Sequence, residues 1–573
     1  GGMGMQIPTL KQGNVSRENV TSFGGYHAGA RIAEGEFAAM KNCTGDQFPL
    51  IATRRKRGVY AAPQKCNGLL AKDSLCWVDG SKFVMNGYET ELHLTDSPKQ
   101  LVSMGAYVII FPDKKYINTA DLSDFGNLEG EFTSAGTVKF TPVDGDGKPL
   151  IPAYTQPEEP EKPENGALWL DTSGAGALLQ WSAGTGMWVS VDNTLVRISC
   201  PGMGAPFRPG DGVQLTGVPA GVETSGVIAD CGRDYVTVPG LLEREASLDT
   251  PVTVGRYLPL MDMVLECGNR LWGCRYGLNR TGAVVNEIYA SKLGDFRNWN
   301  CFQGVSTDSY CVSLGNDGPF TGAVQHLGYP VFFREDCIHR LYGSTPATFR
   351  LQTTPCPGVQ QGCSQSLARV GQMLYYKSPT GVCAYDGAVP VTVSQKLGVM
   401  PCTRAAAGAL GDKYYLCIQE EETTGQLWVY DTARGLWHRE DDTCVRCFCT
   451  CRDDLFFVNG AGQIISVMGR GQPEEEISWM LETGMLGTLT PDSKTLTRLN
   501  LRLELAQQAT VWVQYDGDDF WTPVATVYGS AGQCFNLPVA VRRCDRLRLR
   551  LAGTGFMRLS CITKTMERGS EVL

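Results

Sequence analysis

The chain has 573 residues, 43% hydrophobic and 19% charged, with a formal net charge of −9. At roughly 100–200 residues per domain this is length for several domains with a sizeable core, which excludes disorder over most of the chain. The acidic balance also excludes a general nucleic-acid coat, which would need a basic face.

No apolar run approaches the ~18 residues of a spanning helix. The opening Gly-Gly-Met-Gly-Met-Gln lacks the charged head and apolar stretch of a signal peptide. Neither a membrane anchor nor a leader is therefore expected. The 67 glycines and 30 prolines make the chain turn-rich and favour an all-β protein. The 22 cysteines are scattered, many of them inside apolar strands. There they read as small buried hydrophobes in a reducing compartment.

In chain order, residues 1–57 read as an extended N-terminal lead-in ending in the basic run Arg54, Arg55, Lys56 and Arg57. A repeat follows. Seven stretches share a Gly or polar residue, two turn residues, then apolar and aromatic residues. They begin at Lys72, Gly105, Gly268, Gly328, Gly371, Gly411 and Arg452. Their starts are 33, 163, 60, 43, 40 and 41 residues apart. Spacings near 40 match one four-stranded propeller blade. The spacing of 163 then holds an insertion of about 120 residues, and that of 60 a long loop around 300–320. The expected fold is a propeller of about seven blades, with 58–120 as its first part and 259–470 as its second.

The inserted β domain is placed at 121–258. Residues 155–165, rich in Pro and Glu, read as a semi-rigid linker. Beyond it, Trp169, Trp181 and Trp188 mark a small module of short strands. Three tryptophans in so small a unit form either a sugar platform or, the expected reading, a core that nothing else could supply. Residues 194–255 read as a small barrel or sandwich. Residues 471–573 alternate apolar and charged positions and read as a C-terminal β-sandwich. Its arginines 542, 543, 546, 548 and 550 read as one solvated strand face.

A search for chemistry finds little. The five histidines form no H-E-x-x-H, Gly362-Cys-Ser-Gln-Ser lacks the last glycine of a nucleophile elbow, and no phosphate loop appears. Asp144-Gly-Asp-Gly-Lys lacks the Glu of a calcium loop. Asp516-Gly-Asp-Asp-Phe-Trp faintly resembles a sialidase turn but lies outside the propeller. Cys444, Cys447, Cys449 and Cys451 contain a C-x-x-C without the second pair that a zinc site usually needs. The expectation is a protein that is not an enzyme and holds no cofactor and no metal.

The order of parts, a lead-in, a propeller interrupted by a β domain and a terminal sandwich, resembles the tail nozzle and packaged-DNA stabilisation proteins of tailed bacteriophages, the tail tubular protein B group. Local phrases add to it. They include Phe48-Pro-Leu-Ile-Ala-Thr-Arg-Arg-Lys-Arg57, Glu287-Ile-Tyr-Ala-Ser-Lys-Leu-Gly-Asp-Phe-Arg-Asn-Trp299 and Phe332-Phe-Arg-Glu-Asp-Cys-Ile-His-Arg-Leu-Tyr-Gly343. Gly381-Val-Cys-Ala-Tyr-Asp-Gly387, Leu427-Trp-Val-Tyr-Asp-Thr-Ala-Arg-Gly-Leu-Trp437 and Leu168-Trp-Leu-Asp-Thr-Ser173 belong with them.

The resemblance covers most of the chain and implies a structural virion protein. It would form a homo-oligomeric ring, usually of six, in the tail or neck, assembled in the bacterial host cytoplasm. The ring would continue the DNA channel and retain the genome. Implied partners are portal-side adaptor proteins, tail fibres, spikes or a needle, and double-stranded DNA in transient, sequence-independent contact. Arg54, Arg55, Lys56 and Arg57 are the candidate phosphate contacts. The alternatives are a component of the distal tail and a glycan-binding propeller for host-surface recognition. A propeller hydrolase is disfavoured by the histidine count and the missing catalytic pairs.

Overall fold

Each repeat opens at the turn between the first and second strands of an antiparallel sheet, four-stranded in six repeats and five-stranded in the last. Six of the seven opening residues are left-handed: Gly105, Gly268, Gly328, Gly371 and Gly411 at φ 56°, 63°, 80°, 60° and 57°, and Arg452 at 56°. A Cβ on those five glycines would meet nothing within 4 Å. Backbone conformation, not space, therefore selects glycine there. The strand after each turn is the near-continuous apolar run, as in Tyr107–Phe111, Tyr329–Phe333 and Asp454–Asn459. A strand packed on both faces has no solvent side to alternate toward.

The computed structural model describes residues 14–568 apart from 175, 192–193, 316, 422, 489–490, 492 and 541. The chain is all-β: a seven-bladed β-propeller with an inserted small β domain and a C-terminal β-sandwich. It divides into two compact units, residues 1–89, 333–338 and 354–573, and residues 90–332 and 339–353. Positions 1–13 of the expected lead-in and 569–573 of the sandwich lie outside the described residues.

In the first unit, the expectation of an extended N-terminal lead-in is corrected. Val15–Val20 and Ile51–Thr53 both pair antiparallel with Met557–Arg568, and Glu36–Lys41 pairs with Ser478–Thr483. These strands belong to one eleven-stranded assembly with the sandwich. Its core joins Phe23, Phe37 and Met40 to Trp479, Leu499, Leu501, Leu549 and Leu551. The 22-residue strand Lys494–Tyr515 carries the assembly. Its first half pairs with Met557–Arg568 and its second with Leu547–Thr554. The register shifts between Leu503 and Gln508 accompany that change of partner.

Gly58–Ala61, expected to start the propeller, instead pairs antiparallel with Ile464–Ser466 as the fourth strand of the last blade. That blade is thus built from residues at both ends of the propeller sequence.

In the second unit, the third blade ends in Tyr310–Ser313, and the long connection is 291–309 rather than 300–320. The inserted domain begins at Gly130–Thr133 and closes at Thr253–Arg256, which pair with each other. Two sheets enclose a core of Phe140, Val196, Ile198, Val213, Val236 and Val254. The tryptophan sheet is an insert within this insert. Tyr154–Gln156 pairs in parallel with Leu168–Asp171. Residues 155–165 are therefore largely a crossover inside the small sheet, not a linker leading to it, because parallel pairing demands a long return connection.

Candidate functional site

Tyr154–Gln156, Leu168–Asp171, Ala177–Ser182 and Met187–Ser190 form the small sheet in that order. Alternation along the strands separates its faces. Leu168, Leu170 and Leu178 point one way and pack with Leu150, Val191 and Leu241. The opposite face brings together Tyr154, Trp169, Trp181 and Trp188. Trp169 lies opposite Tyr154 on the neighbouring strand, and Trp181 opposite Trp188. The Trp188 ring meets Trp169 and Trp181 edge-on, with centroids 5.3 and 5.4 Å apart, and Tyr154 at 6.5 Å.

Trp169 is buried and donates its indole N–H to the Gln156 carbonyl at 2.8 Å. Trp181 and Trp188 are half-buried, and the Trp188 indole N–H has no acceptor. The three tryptophans predicted from the sequence are therefore one cluster. It serves as a small core, through Trp169, and leaves aromatic surface at Trp181 and Trp188. Such a surface can cover the apolar C–H face of a sugar ring.

The arginine run is built differently, and for Arg54 and Arg57 the reading as phosphate contacts is corrected. Both are buried. Arg54 donates to Glu474 Oε1 at 2.5 Å and to Asn42 Oδ1 at 2.8 Å. Arg57 pairs with Glu440, and with Asp441 at 2.9 Å. Burial opposes the charge on Arg57, but Glu440 and Asp441 outweigh it and hold the guanidinium protonated. Burial likewise works against the Asp441 carboxylate, and Arg57 outweighs it, so its pKa falls below the ordinary range. Charges taken out of water need such partners. Arg55 is exposed, and Lys56 is half-exposed and paired with Glu476 at 2.6 Å.

The cavity beside this run, about 520 Å³, is lined by Asp441, Asp442, Glu474, Glu475 and Glu476 against Lys41 and Arg54. That excess of carboxylates repels phosphate. The acids that capture the two arginines lie more than 380 residues away in sequence, and no local signal announces them.

Of the other sequence candidates, Cys447, Cys449 and Cys451 share one face of the last blade. With Cys66 of the first blade they join a cluster around Leu75, Trp77, Phe456 and Val458. Burial pushes Cys447 and Cys449 up to about 12, so within that apolar cluster they keep their protons. Among the described residues no group of three or more His, Cys, Asp or Glu is placed to hold a metal ion. Among the arginines of the C-terminal sandwich, Arg548 and Arg550 stack over Trp521, and Arg550 also pairs with Glu482.

No family model matches the chain, and no curated protein matches it. Solved structures do. BamB from Moraxella catarrhalis is 9% identical, covering 75% of this chain and 97% of its own, with a TM-score of 0.27. An exo-β-1,3-galactanase from Phanerochaete chrysosporium is 9% identical, covering 76% of this chain and 100% of its own, with a TM-score of 0.15. A glycoside hydrolase family 43 arabinoxylan arabinofuranohydrolase from Bacillus subtilis is 8% identical, covering 55% of this chain and 96% of its own, with a TM-score of 0.19.

The expectation that the chain is not an enzyme is corrected by the two glycan-degrading enzymes among these matches. Its physical basis was also too narrow. A pair of carboxylates supplied by separate blades leaves no contiguous motif in a sequence. None of the three carries a residue role over to this chain.

Proposed function

We propose that this β-propeller is a host-surface recognition component of a bacteriophage tail, and that its inserted tryptophan sheet contacts a saccharide. The observation that carries the reading is the aromatic face: Trp181 and Trp188 half-exposed beside Tyr154, on a sheet anchored through its opposite, leucine face. A platform fixed from behind loses little freedom on binding, which favours affinity. The test is a saccharide array probed with the full chain and with Trp181→Ala and Trp188→Ala. The reading expects binding that either substitution weakens at least about tenfold, the loss of one good aromatic contact. Binding indifferent to both, or absent across bacterial surface glycans, would overturn it.

A second reading, the nozzle ring of the neck, is favoured by the order of parts. The first and last strands of the described residues are woven into one eleven-stranded assembly from which the propeller sequence departs and returns. In that reading the protein forms a closed homo-oligomer, meets adaptor proteins and fibres, spikes or a needle, and passes DNA. Arg55 and Lys56 are then what remains of the basic run for phosphate contact. A closed ring needs heterologous contacts, so a stable hexamer of the isolated chain in solution would favour this reading over the first.

A further inference from the structure

Cys363 and Cys402 stand 39 residues apart in sequence, in the loops that lead into the fifth blade (Ala368–Val370 onward) and the sixth (Arg404–Leu410 onward). Their sulfurs are 3.6 Å apart. The loops are held together by backbone as well as side chains. Gln360 Nε2 donates to the Cys402 carbonyl at 2.6 Å, and the Cys363 N–H donates to the Gln360 carbonyl at 2.9 Å. Gly362, at φ +81°, lies so close that a Cβ there would sit 2.3 Å from the Thr403 carbonyl oxygen. Cys363 is fully buried, whereas Cys402 is half-buried between exposed Pro401, Thr403 and Arg404.

One thiol of the pair is thus reachable from solvent and the other is fixed behind it. We propose that Cys363 and Cys402 are a peroxide-responsive dithiol, which closes to a disulfide that staples the loops leading into the fifth and sixth blades.

The chemistry follows from the positions. The Cys402 thiolate attacks a peroxide oxygen, the O–O bond breaks, and one water leaves with a proton from solvent, giving a sulfenic acid on Cys402. The Cys363 thiol then attacks that sulfur, the S–O bond breaks, and a second water leaves as the S–S bond forms. Two thiols are oxidised and one hydrogen peroxide is reduced to two waters. The sulfurs need approach by only about 1.5 Å to reach bonding distance, a side-chain rotation.

The electrostatics agree with this division of labour. The hydrogen bond with Cys363 and then, against burial, the buried Lys377 ammonium bring Cys402 down to about 7. The same hydrogen bond and burial push Cys363 up, so it keeps its proton. Lys377 is held in place by Gln360 Oε1 at 2.6 Å and the Ser378 carbonyl at 2.7 Å.

The test uses the full-length protein, reduced, freed of reductant and exposed to hydrogen peroxide. Free thiols are then blocked with N-ethylmaleimide, and the protein is digested with trypsin without reduction. The expected main product joins peptide 351–369, carrying one N-ethylmaleimide on Cys356, to peptide 397–404, two hydrogens short of their summed mass with that adduct, and dithiothreitol releases it. Fragment ions place the bond on Cys363 rather than Cys356. In Cys363→Ser the resolving thiol is gone, and Cys402 proceeds to the sulfinic acid. Before any peroxide is added, Cys402 alkylates at lower pH than an ordinary cysteine thiol does. Recovery of Cys402 and Cys363 as blocked free thiols, while exposed Cys311 and Cys534 are oxidised, would overturn the proposal. So would a bond from Cys402 to any other cysteine.

Discussion

The arginine run at 54–57 and the tryptophans at 169, 181 and 188 are both short, chemically loud features of the sequence, and the fold treats them in opposite ways. Two of the four charges are buried among carboxylates from loops distant in sequence. Two of the three tryptophans, the residues that composition alone sends inside, keep half-exposed surface. A buried guanidinium reports who its partners are, not what the surface binds. A half-exposed aromatic on a sheet already anchored by leucines reports a face left over after folding.

The largest effect should come from breaking the ion-pair region. Arg57→Met leaves Glu440 and Asp441 without their main cation and should cost about 3–5 kcal/mol of stability, read as a lower urea midpoint. Arg55→Ala, on the same run but exposed, should stay within about 0.5 kcal/mol. Equal effects for the two would dissolve the distinction between them.

Acid should act on the same unit. His438 is buried with no partner at Nε2, and burial followed by the Lys413 ammonium pushes it down to about 4. In the unfolded chain it titrates near 6.5. Between those values the unfolded state binds the extra proton, so stability falls as pH drops from about 6.5 to about 4, by on the order of 3 kcal/mol. His438→Gln should flatten that part of the profile in urea melts run across pH.

Smaller effects come from the blade turns. Gly411→Ala places a Cβ at φ 57° and should cost about 1 kcal/mol. Arg452→Gly, relieving the same conformation in the last blade, should gain up to about 1 kcal/mol. The smallest concerns the aromatic face itself. Trp181→Ala removes one edge-on ring contact and should cost only about 1 kcal/mol in stability, while abolishing most saccharide binding. A large stability loss would move Trp181 into the core beside Trp169.

The blades were legible in the sequence because one turn conformation recurs: in five of the seven a glycine at left-handed φ is followed by an apolar strand. The exceptions at Lys72 and Arg452 were still readable from the Leu-Cys-Trp and Leu-Phe-Phe that follow within three residues. The N-terminal strands were not legible. Val15–Val20 and Glu36–Lys41 are six residues each, and their partners begin at Met557 and Ser478. Short strands declare themselves only by pairing, and that pairing spans more than 400 residues. The Pro- and Glu-rich stretch at 155–165 looks like a spacer because its composition is that of one. The parallel register of Tyr154 with Trp169 overrides it. Within the candidate site, the tryptophans were found by residue type alone. The Cys363–Cys402 pair was not, since neither loop carries a motif and the sulfurs meet only through tertiary contacts, Gly362 against Thr403 and Gln360 on the Cys402 carbonyl.

Gold-labelled electron microscopy of phage particles, with an antibody against this chain, tests the central claim most directly. The account predicts label at the distal tip of the tail, where a saccharide-contacting propeller meets the host. Label confined to the neck would contradict it and give the chain to the genome channel.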